Sequence, residues 1–186
     1  NFVTGLGKDQ KLVYALNILS EVLVNQETAP IRKAIEAAGI GKDISADFSS
    51  LNQNVFSFIS QNANPIDKEN FRKIIFDKLK EISEKGLDKE SVEGAFNRIE
   101  FRTKELNNAQ LGLLYGFRAI SGWMYGNNPF LTLEYENIFK ELRIDIANGY
   151  LEKVIKEYFL KNNHCLFLIL NPEPGLEKQK TAEMER

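Results

Sequence analysis

The 186-residue chain has only one histidine, His164, and one cysteine, Cys165. A single cysteine excludes an internal disulfide framework, and a single histidine cannot supply the histidine pair that hydrolytic zinc sites usually contain. An excess of charge of one sign is also missing, since the formal net charge is −2. We therefore predict no strong attraction to nucleic acid or to anionic lipid, and no nucleic-acid partner.

Long apolar runs are absent as well. The run "LFLIL" at 166–170 is much shorter than the roughly 20 residues that span a bilayer, so no membrane segment is predicted. No stretch resembles a signal peptide. The chain opens at Asn1 without a methionine, and we expect a fragment from which a targeting segment could be lost.

The residues that are present have the composition of a soluble globular domain. Hydrophobic residues make up 43% and charged residues 27%, close to the average for such proteins, so a packed core is attainable. The length fits one domain, or one domain with a tail, because a domain typically takes roughly 100–200 residues.

The spacing of apolar residues divides the chain into helices and strands. Helices are predicted at about 9–24, 28–41, 67–86, 88–106, 110–130, 133–142 and 148–163, and strands at 1–6, 43–48, 54–60 and 164–170. Regular alternation of strand and helix is absent, which argues against a doubly wound parallel sheet. We predict an α+β fold with one mostly antiparallel sheet covered by several helices.

The clearest local signal is a pair of amphipathic helices joined by "KGLD" at 85–88. Asp67 is placed to cap the first helix, Gly86 to end it, and Asp88 to cap the second. So short a connection predicts an antiparallel helix pair.

His164 and Cys165 are neighbours on the last predicted strand, 164–170. Their side chains then point to opposite faces and cannot form a hydrogen-bonded catalytic couple. The favoured interpretation is structural, with Cys165 a small buried apolar side chain. "GLGK" at 5–8 lacks the spacing of a phosphate-binding loop. We predict no catalytic, metal-binding or cofactor-binding residue in this chain, and substrate-binding residues stay unknown.

An aromatic cluster falls in the helical stretch 110–130 and the turn that ends it. Its members are Tyr115, Phe117, Trp123, Tyr125 and Phe130. Rings at helical spacing are more often core, and that is the favoured interpretation. A peptide-binding platform is the alternative.

Several longer segments carry a resemblance to a known family. They are, in order, "KLVYALNILSEVLV" (11–24), "APIRKAIEAAGIGKDIS" (29–45), "EKGLDKESVEGAFNRIEFRTKE" (84–105), "GWMYGNNP" (122–129) and "YLEKVIKEYFLKNNHCLFLILNPEP" (150–174). In this order they resemble the second domain of the pitrilysin and insulinase superfamily of zinc peptidases, in its presequence protease-like branch. The resemblance runs from Gly5 to about Pro174. Ala29 stands where that branch usually has a serine, and "GNNP" replaces a more acidic turn.

The resemblance implies a single non-catalytic α+β domain over 1–174, with the charged tail 175–186 as the start of a helical linker. The zinc of such a peptidase lies in its first domain, on an "H-x-x-E-H" motif and a later glutamate that have no counterpart here. The implied partners are that catalytic domain, the C-terminal half of the same protein, and peptide substrates. The implied compartment is the bacterial cytoplasm or an organelle matrix.

Two function hypotheses follow from this resemblance. In the first, the chain is a non-catalytic domain of a zinc metalloendopeptidase that degrades short unfolded peptides, and it forms part of the substrate chamber wall. In the second, it belongs to an inactive superfamily member that acts as an interaction or assembly subunit. An intact zinc motif upstream of Asn1 would support the first.

Overall fold

A three-stranded antiparallel sheet lies under a layer of helices. The computed structural model describes residues 1–105 and 111–175, together with 180, 181 and 184. The strands are β1 (Phe2–Leu6), β2 (Asp43–Ser50) and β3 (Gln53–Gln61), and β3 lies in the middle of the sheet. The predicted α+β fold class is confirmed.

β2 and β3 form a hairpin whose pairing runs from Asp43 opposite Gln61 to Ser50 opposite Asn54. β1 pairs antiparallel with the other side of β3, with Phe2 opposite Phe56. Gly5 lies in the irregular part of β1 and has φ +88°, and a Cβ there would come within 2.8 Å of the Leu12 side chain. Glycine therefore permits both the bend in the strand and the close approach of the first helix.

The helices follow the predicted order. They are α1 (Gln10–Ser20), α2 (Pro30–Ala37), α3 (Lys68–Lys85), α4 (Lys89–Lys104), α5 (Leu111–Trp123), α6 (Glu136–Ala147) and α7 (Tyr150–Ile155). A π-helical turn extends α1 over Glu21–Asn25 and another extends α7 over Lys156–Leu160, and a short 3₁₀ turn at Pro65–Asp67 precedes α3. Among the described helices, none is long and apolar enough to cross a bilayer.

Helix caps agree with the sequence in one of the two predicted cases. The backbone N–H of Ser91 donates to Asp88 Oδ2 at 2.8 Å, as predicted for α4. Asp67 was predicted to cap α3, but its side chain makes no cap bond within the described part of the chain. The 3₁₀ turn moves the capped position upstream, where Asn64 Oδ1 accepts from the N–H of Ile66 at 3.1 Å.

The core lies between the sheet and the helices. α1 is its central helix, with Leu12, Leu16 and Leu19 buried. On the sheet side, the rings of Phe2 and Phe56 pack edge-on against Phe159, at centroid distances of 5.2 and 5.0 Å. Burial of these apolar side chains is the main stabilising term of the fold.

α3 and α4 were predicted to form an antiparallel pair, but their main contacts are with other elements. α3 packs on α2 and α7, whereas α4 packs on α1. The connection is tied to α7 instead, because the N–H of Leu87 donates to Glu152 Oε1 at 3.1 Å. Both helices bury their apolar stripes on the common core rather than on each other.

Residues 164–170 do not form the buried strand that was predicted. Only an isolated bridge joins Cys165 to Phe2, and the side chains from His164 to Leu170 are exposed. The prediction of a buried Cys165 was therefore wrong. The physical reason is that the described structure places no strand beside the apolar residues beyond Leu166.

Candidate peptide-binding surface

α5 is an apolar helix with none of its side chains fully buried. Leu113, Phe117, Ile120 and Met124 recur at spacings of four, three and four residues, which places them on one face. All four are exposed, Phe117 at 61%, and Trp123 beside them is 67% exposed. We call these five side chains the α5 surface.

The α5 surface overturns the favoured interpretation of the aromatic cluster. Phe117, Trp123, Tyr125 and Phe130 are exposed, and only Tyr115 is half-buried. Helical spacing predicts that one face is apolar, but it does not say whether that face packs inside the same chain. The alternative, a peptide-binding platform, fits the exposure of the rings.

Two hydroxyl groups bind the backbone of α5 at Arg118. The Thr132 hydroxyl donates to the carbonyl oxygen of Arg118 at 2.9 Å, and the Ser121 hydroxyl donates to the same oxygen at 2.7 Å. The charge of Arg118 also acts on Tyr14 of α1. Burial raises the pKa of Tyr14, and the positive charge of Arg118 lowers it in part. The bond from Ser121 lies within α5, and the bond from Thr132 joins α5 to the segment that follows it.

The predicted turn after α5 is confirmed. Gly126 has φ +75°, the N–H of Asn127 donates to the carbonyl of Gly122 at 3.2 Å, and Asn128 Oδ1 accepts from the N–H of Phe130 at 3.0 Å. Glycine takes the left-handed conformation at little cost and asparagine bonds the local backbone. The turn fixes the backbone between Trp123 and Phe130.

A small cavity lies where the end of α5 meets the start of α1. Its volume is about 140 Å³, and its lining includes Gly7, Gln10, Leu51, Ser121, Gly122 and Asn127. This is below the roughly 300–1,000 Å³ of ordinary small-molecule sites. In this region of the molecule, the exposed face of α5 is therefore better suited to contact a ligand than this cavity is.

The described residues do not fit a zinc ion. His164 and Cys165 are exposed neighbours on an extended segment, and no group of three or more histidine, cysteine or carboxylate side chains close enough to hold a metal occurs in the described ranges. Structural and hydrolytic zinc sites need at least three such protein ligands. We derive no catalytic step for this chain.

An antiparallel sheet under a helical layer, with an exposed apolar helix, defines an α+β domain. The family model of the Peptidase M16 inactive domain matches residues 3–99. This is just over half of the 186 residues, and the chain belongs to that family. α5 lies outside the matched range.

Relatives extend the match over the whole chain. Protein HypA of Clostridium perfringens is 34% identical over 189 residues, which cover 100% of this chain and 19% of that protein. Presequence protease 1, chloroplastic/mitochondrial, of Arabidopsis thaliana is 29% identical over 94% of this chain and 17% of that protein. The chain therefore spans less than a fifth of the length of these curated relatives, which come from a bacterium and from plant organelles.

A solved structure supports the fold. The inactive peptidase domain of a Bordetella parapertussis protein superposes with a TM-score of 0.72 over 93% of this chain and 91% of that domain, at 11% sequence identity. At this identity the likeness concerns the fold alone.

Sequence reasoning missed three members of the α5 surface, namely Leu113, Ile120 and Met124. A signal was available, because α5 carries apolar residues on both sides of the helix and no acidic residue at all. Packing on one side alone does not cover a helix that is apolar all round.

Proposed function

We propose that this chain is the non-catalytic domain of a longer zinc metalloendopeptidase, and that its α5 surface forms part of the wall of a chamber in which short unfolded peptides are degraded. The observation that carries the proposal is the α5 surface, a row of apolar side chains that α5 and the residue after it leave exposed. Membership of the inactive-domain family and the much greater length of the relatives support it.

The physical role of such a wall is positioning. Unfolded peptides expose apolar side chains, and an apolar surface binds them without demanding one sequence. Binding energy from parts of a peptide remote from its scissile bond orients that bond at a catalytic centre. On this proposal the zinc belongs to the first domain of the parent protein, and that domain and the C-terminal half are the partners of this chain.

The domain limits belong to the same proposal. Residues 1–174 form the non-catalytic domain, and 175–186 begin a linker to the next part of the protein. Most of 175–186 lies outside the described residues. The alternative, an inactive relative that serves in assembly, would use the α5 surface to bind another chain.

The test compares variants of the full-length parent protein. Phe117→Asp places a charge on the α5 surface, and Ile66→Asp places one on an exposed apolar residue in the 3₁₀ turn before α3, outside the α5 surface. We expect Phe117→Asp to lower kcat/KM for a long peptide about tenfold, a loss of about 1.4 kcal/mol in transition-state binding, and to affect a short peptide less. Ile66→Asp should change neither.

Zinc content is the second measurement. It should stay near the wild-type level in both variants, because neither residue belongs to a metal site. Equal losses for long and short peptides, or loss of zinc in parallel with activity, would show that this domain only supports the catalytic fold. A parent without peptidase activity would favour the assembly role.

A further inference from the structure

The start of the extended segment 164–170 lies beside β1, and residues 164–166 bond to it as a strand would. The N–H of Val3 donates to the carbonyl of His164 at 3.1 Å, and the N–H of Leu166 donates to the carbonyl of Asn1 at 2.9 Å. The amino group of Asn1 donates back to the carbonyl of Leu166 at 3.0 Å. These bonds have the antiparallel pattern, with Asn1 and Leu166 a hydrogen-bonded pair and Phe2 and Cys165 a non-hydrogen-bonded pair.

The side chain of Asn162 fixes the register at the start of this segment. Its Nδ2 donates to the carbonyl of Val3 at 2.8 Å, and its Oδ1 accepts from the N–H of His164 at 2.7 Å. The asparagine amide thus binds the Val3 carbonyl and the His164 N–H, which would bind each other in a regular antiparallel pair. Pairing beyond Leu166 can continue only in the register that this anchor sets.

Residues 166–170 already show the alternation of a strand. Phe167 and Ile169 are 43% and 38% exposed, whereas Leu166, Leu168 and Leu170 are 62%, 59% and 85% exposed. The better-covered residues lie on the same side as Cys165 and hence as Phe2, whose side chain is in the core. The Phe167 ring also lies 6.3 Å from the ring of Phe71 on α3.

The opposite edge of the sheet is covered in a different way. Asn25 Nδ2 donates to the carbonyl of Ala46 on β2 at 3.1 Å, and the N–H of Ala46 donates back to Asn25 Oδ1 at 2.9 Å. Arg32 binds the carbonyl of Ile44 on the same strand. Side chains thus satisfy outward backbone groups of β2. Residues 167–170 have neither such bonds in the described structure nor the charges and prolines that usually protect an edge.

We propose that residues 167–170 pair with the polypeptide that directly precedes Asn1 in the longer protein, which continues β1 and runs antiparallel to them. This inference rests on the proposal that the chain is one domain of a longer protein. It continues a ladder whose direction and register are already set by Asn1, Val3 and Asn162. The curated relatives are more than five times as long as the part they share with this chain. A protein of that length has room for such a segment before Asn1.

The register makes the proposal specific. The residue directly before Asn1 lies opposite Phe167 in a non-hydrogen-bonded pair, and the second residue before Asn1 exchanges both backbone hydrogen bonds with Leu168. The first and third residues before Asn1 share the face of Phe167 and Ile169, so they should be apolar. Pairing then brings the stretch from Phe167 to Leu170 into the sheet as a true strand.

The test compares amide hydrogen exchange in the 186-residue chain with exchange in the same chain extended by the five residues that precede Asn1 in its gene. We expect exchange of the Leu168 amide to slow at least about tenfold in the extended chain, because its N–H gains a strand partner. The matched control is an extension of equal length made of glycine and serine. Unchanged exchange in the natural extension, or equal slowing in the control, would overturn the proposal.

Cross-linking tests the register. In the extended chain with Cys165→Ser, a cysteine directly before Asn1 should form a disulfide with Phe167→Cys, since directly opposed residues of a non-hydrogen-bonded pair bring their Cβ atoms close. It should not form one with Leu168→Cys, whose side chain lies on the other face. Preference for Leu168→Cys would contradict the proposal. Neither measurement needs peptidase activity, so their outcome is independent of the chamber-wall test.

Discussion

α1 and α5 are both apolar helices, yet one is the centre of the core and the other is exposed. Leu12, Leu16 and Leu19 of α1 are buried between the sheet and other helices. On α5, Phe117 and Ile120 occupy equally regular helical positions and face outward. The comparison shows that the period of an apolar stripe predicts a helix with an apolar face. The period does not say which part of the molecule, if any within this chain, packs on that face.

The largest expected effect comes from truncating α1. Leu16→Ala should lower the free energy of unfolding by about 2–5 kcal/mol, because a fully buried leucine leaves a cavity when shortened. Urea unfolding followed by circular dichroism measures this. Phe117→Ala on α5 is the matched control, with an expected change within about 0.5 kcal/mol, and equal losses in the two variants would mean that the α5 face is covered within this chain.

The first turn of α1 should show an effect of intermediate size. The N–H of Leu12 donates to Asp9 Oδ1 at 3.0 Å, so Asp9→Ala removes a helix cap and should cost about 0.5–2 kcal/mol. Asp9→Asn keeps an acceptor oxygen and should cost much less. If the two variants unfold at the same urea concentration, the charge of Asp9 rather than its cap bond is what matters.

Local patterns in the sequence were sufficient for the framework. Apolar spacing predicted the helices, the order of the strands along the chain and the α+β class, and the position of Asp88 before an apolar run predicted its cap. These features depend on neighbours within a few residues. Such information is contained in the local sequence.

Features that depend on distant parts of the chain were not predictable in this way. The pairing of Asn25 with Ala46, the tie between Leu87 and Glu152, and the exposure of α5 and of 164–170 all require the arrangement of whole elements. An apolar run predicts burial only if a partner lies beside it. Burial was predicted for α5 and for 167–170 from their apolar residues. Both predictions were wrong, because no such partner is present in the described structure.

The single tryptophan, Trp123, lies at the end of α5. Trp123 on the α5 surface is 67% exposed, so its fluorescence in the native chain should resemble that of an indole in water and should be quenched readily by iodide. Unfolding in urea should then shift the emission only slightly. A blue-shifted native spectrum that iodide hardly quenches would show that something covers this end of α5.

The smallest effect is expected at Cys165. Sequence reasoning predicted a buried thiol, whose replacement by serine would cost about 1–3 kcal/mol because a hydroxyl would lose its hydrogen bonds to water. The exposed thiol of the structure predicts a change within about 0.5 kcal/mol for Cys165→Ser, and rapid reaction of the native chain with a thiol reagent. Val13→Thr on α1 is a useful comparison, since a hydroxyl introduced at that buried position should cost more stability than at Cys165.

The rate of thiol labelling at Cys165 also separates two states of the β1 edge, unpaired and paired. When 167–170 gain a strand partner, the residues on both sides of Cys165 become part of a hydrogen-bonded strand, which restricts the approach of a reagent to its Sγ. Thiol labelling should therefore be fast in the 186-residue chain and slower in the chain extended before Asn1. Slow labelling of the unextended chain would mean that this edge is already closed by residues within the sequence.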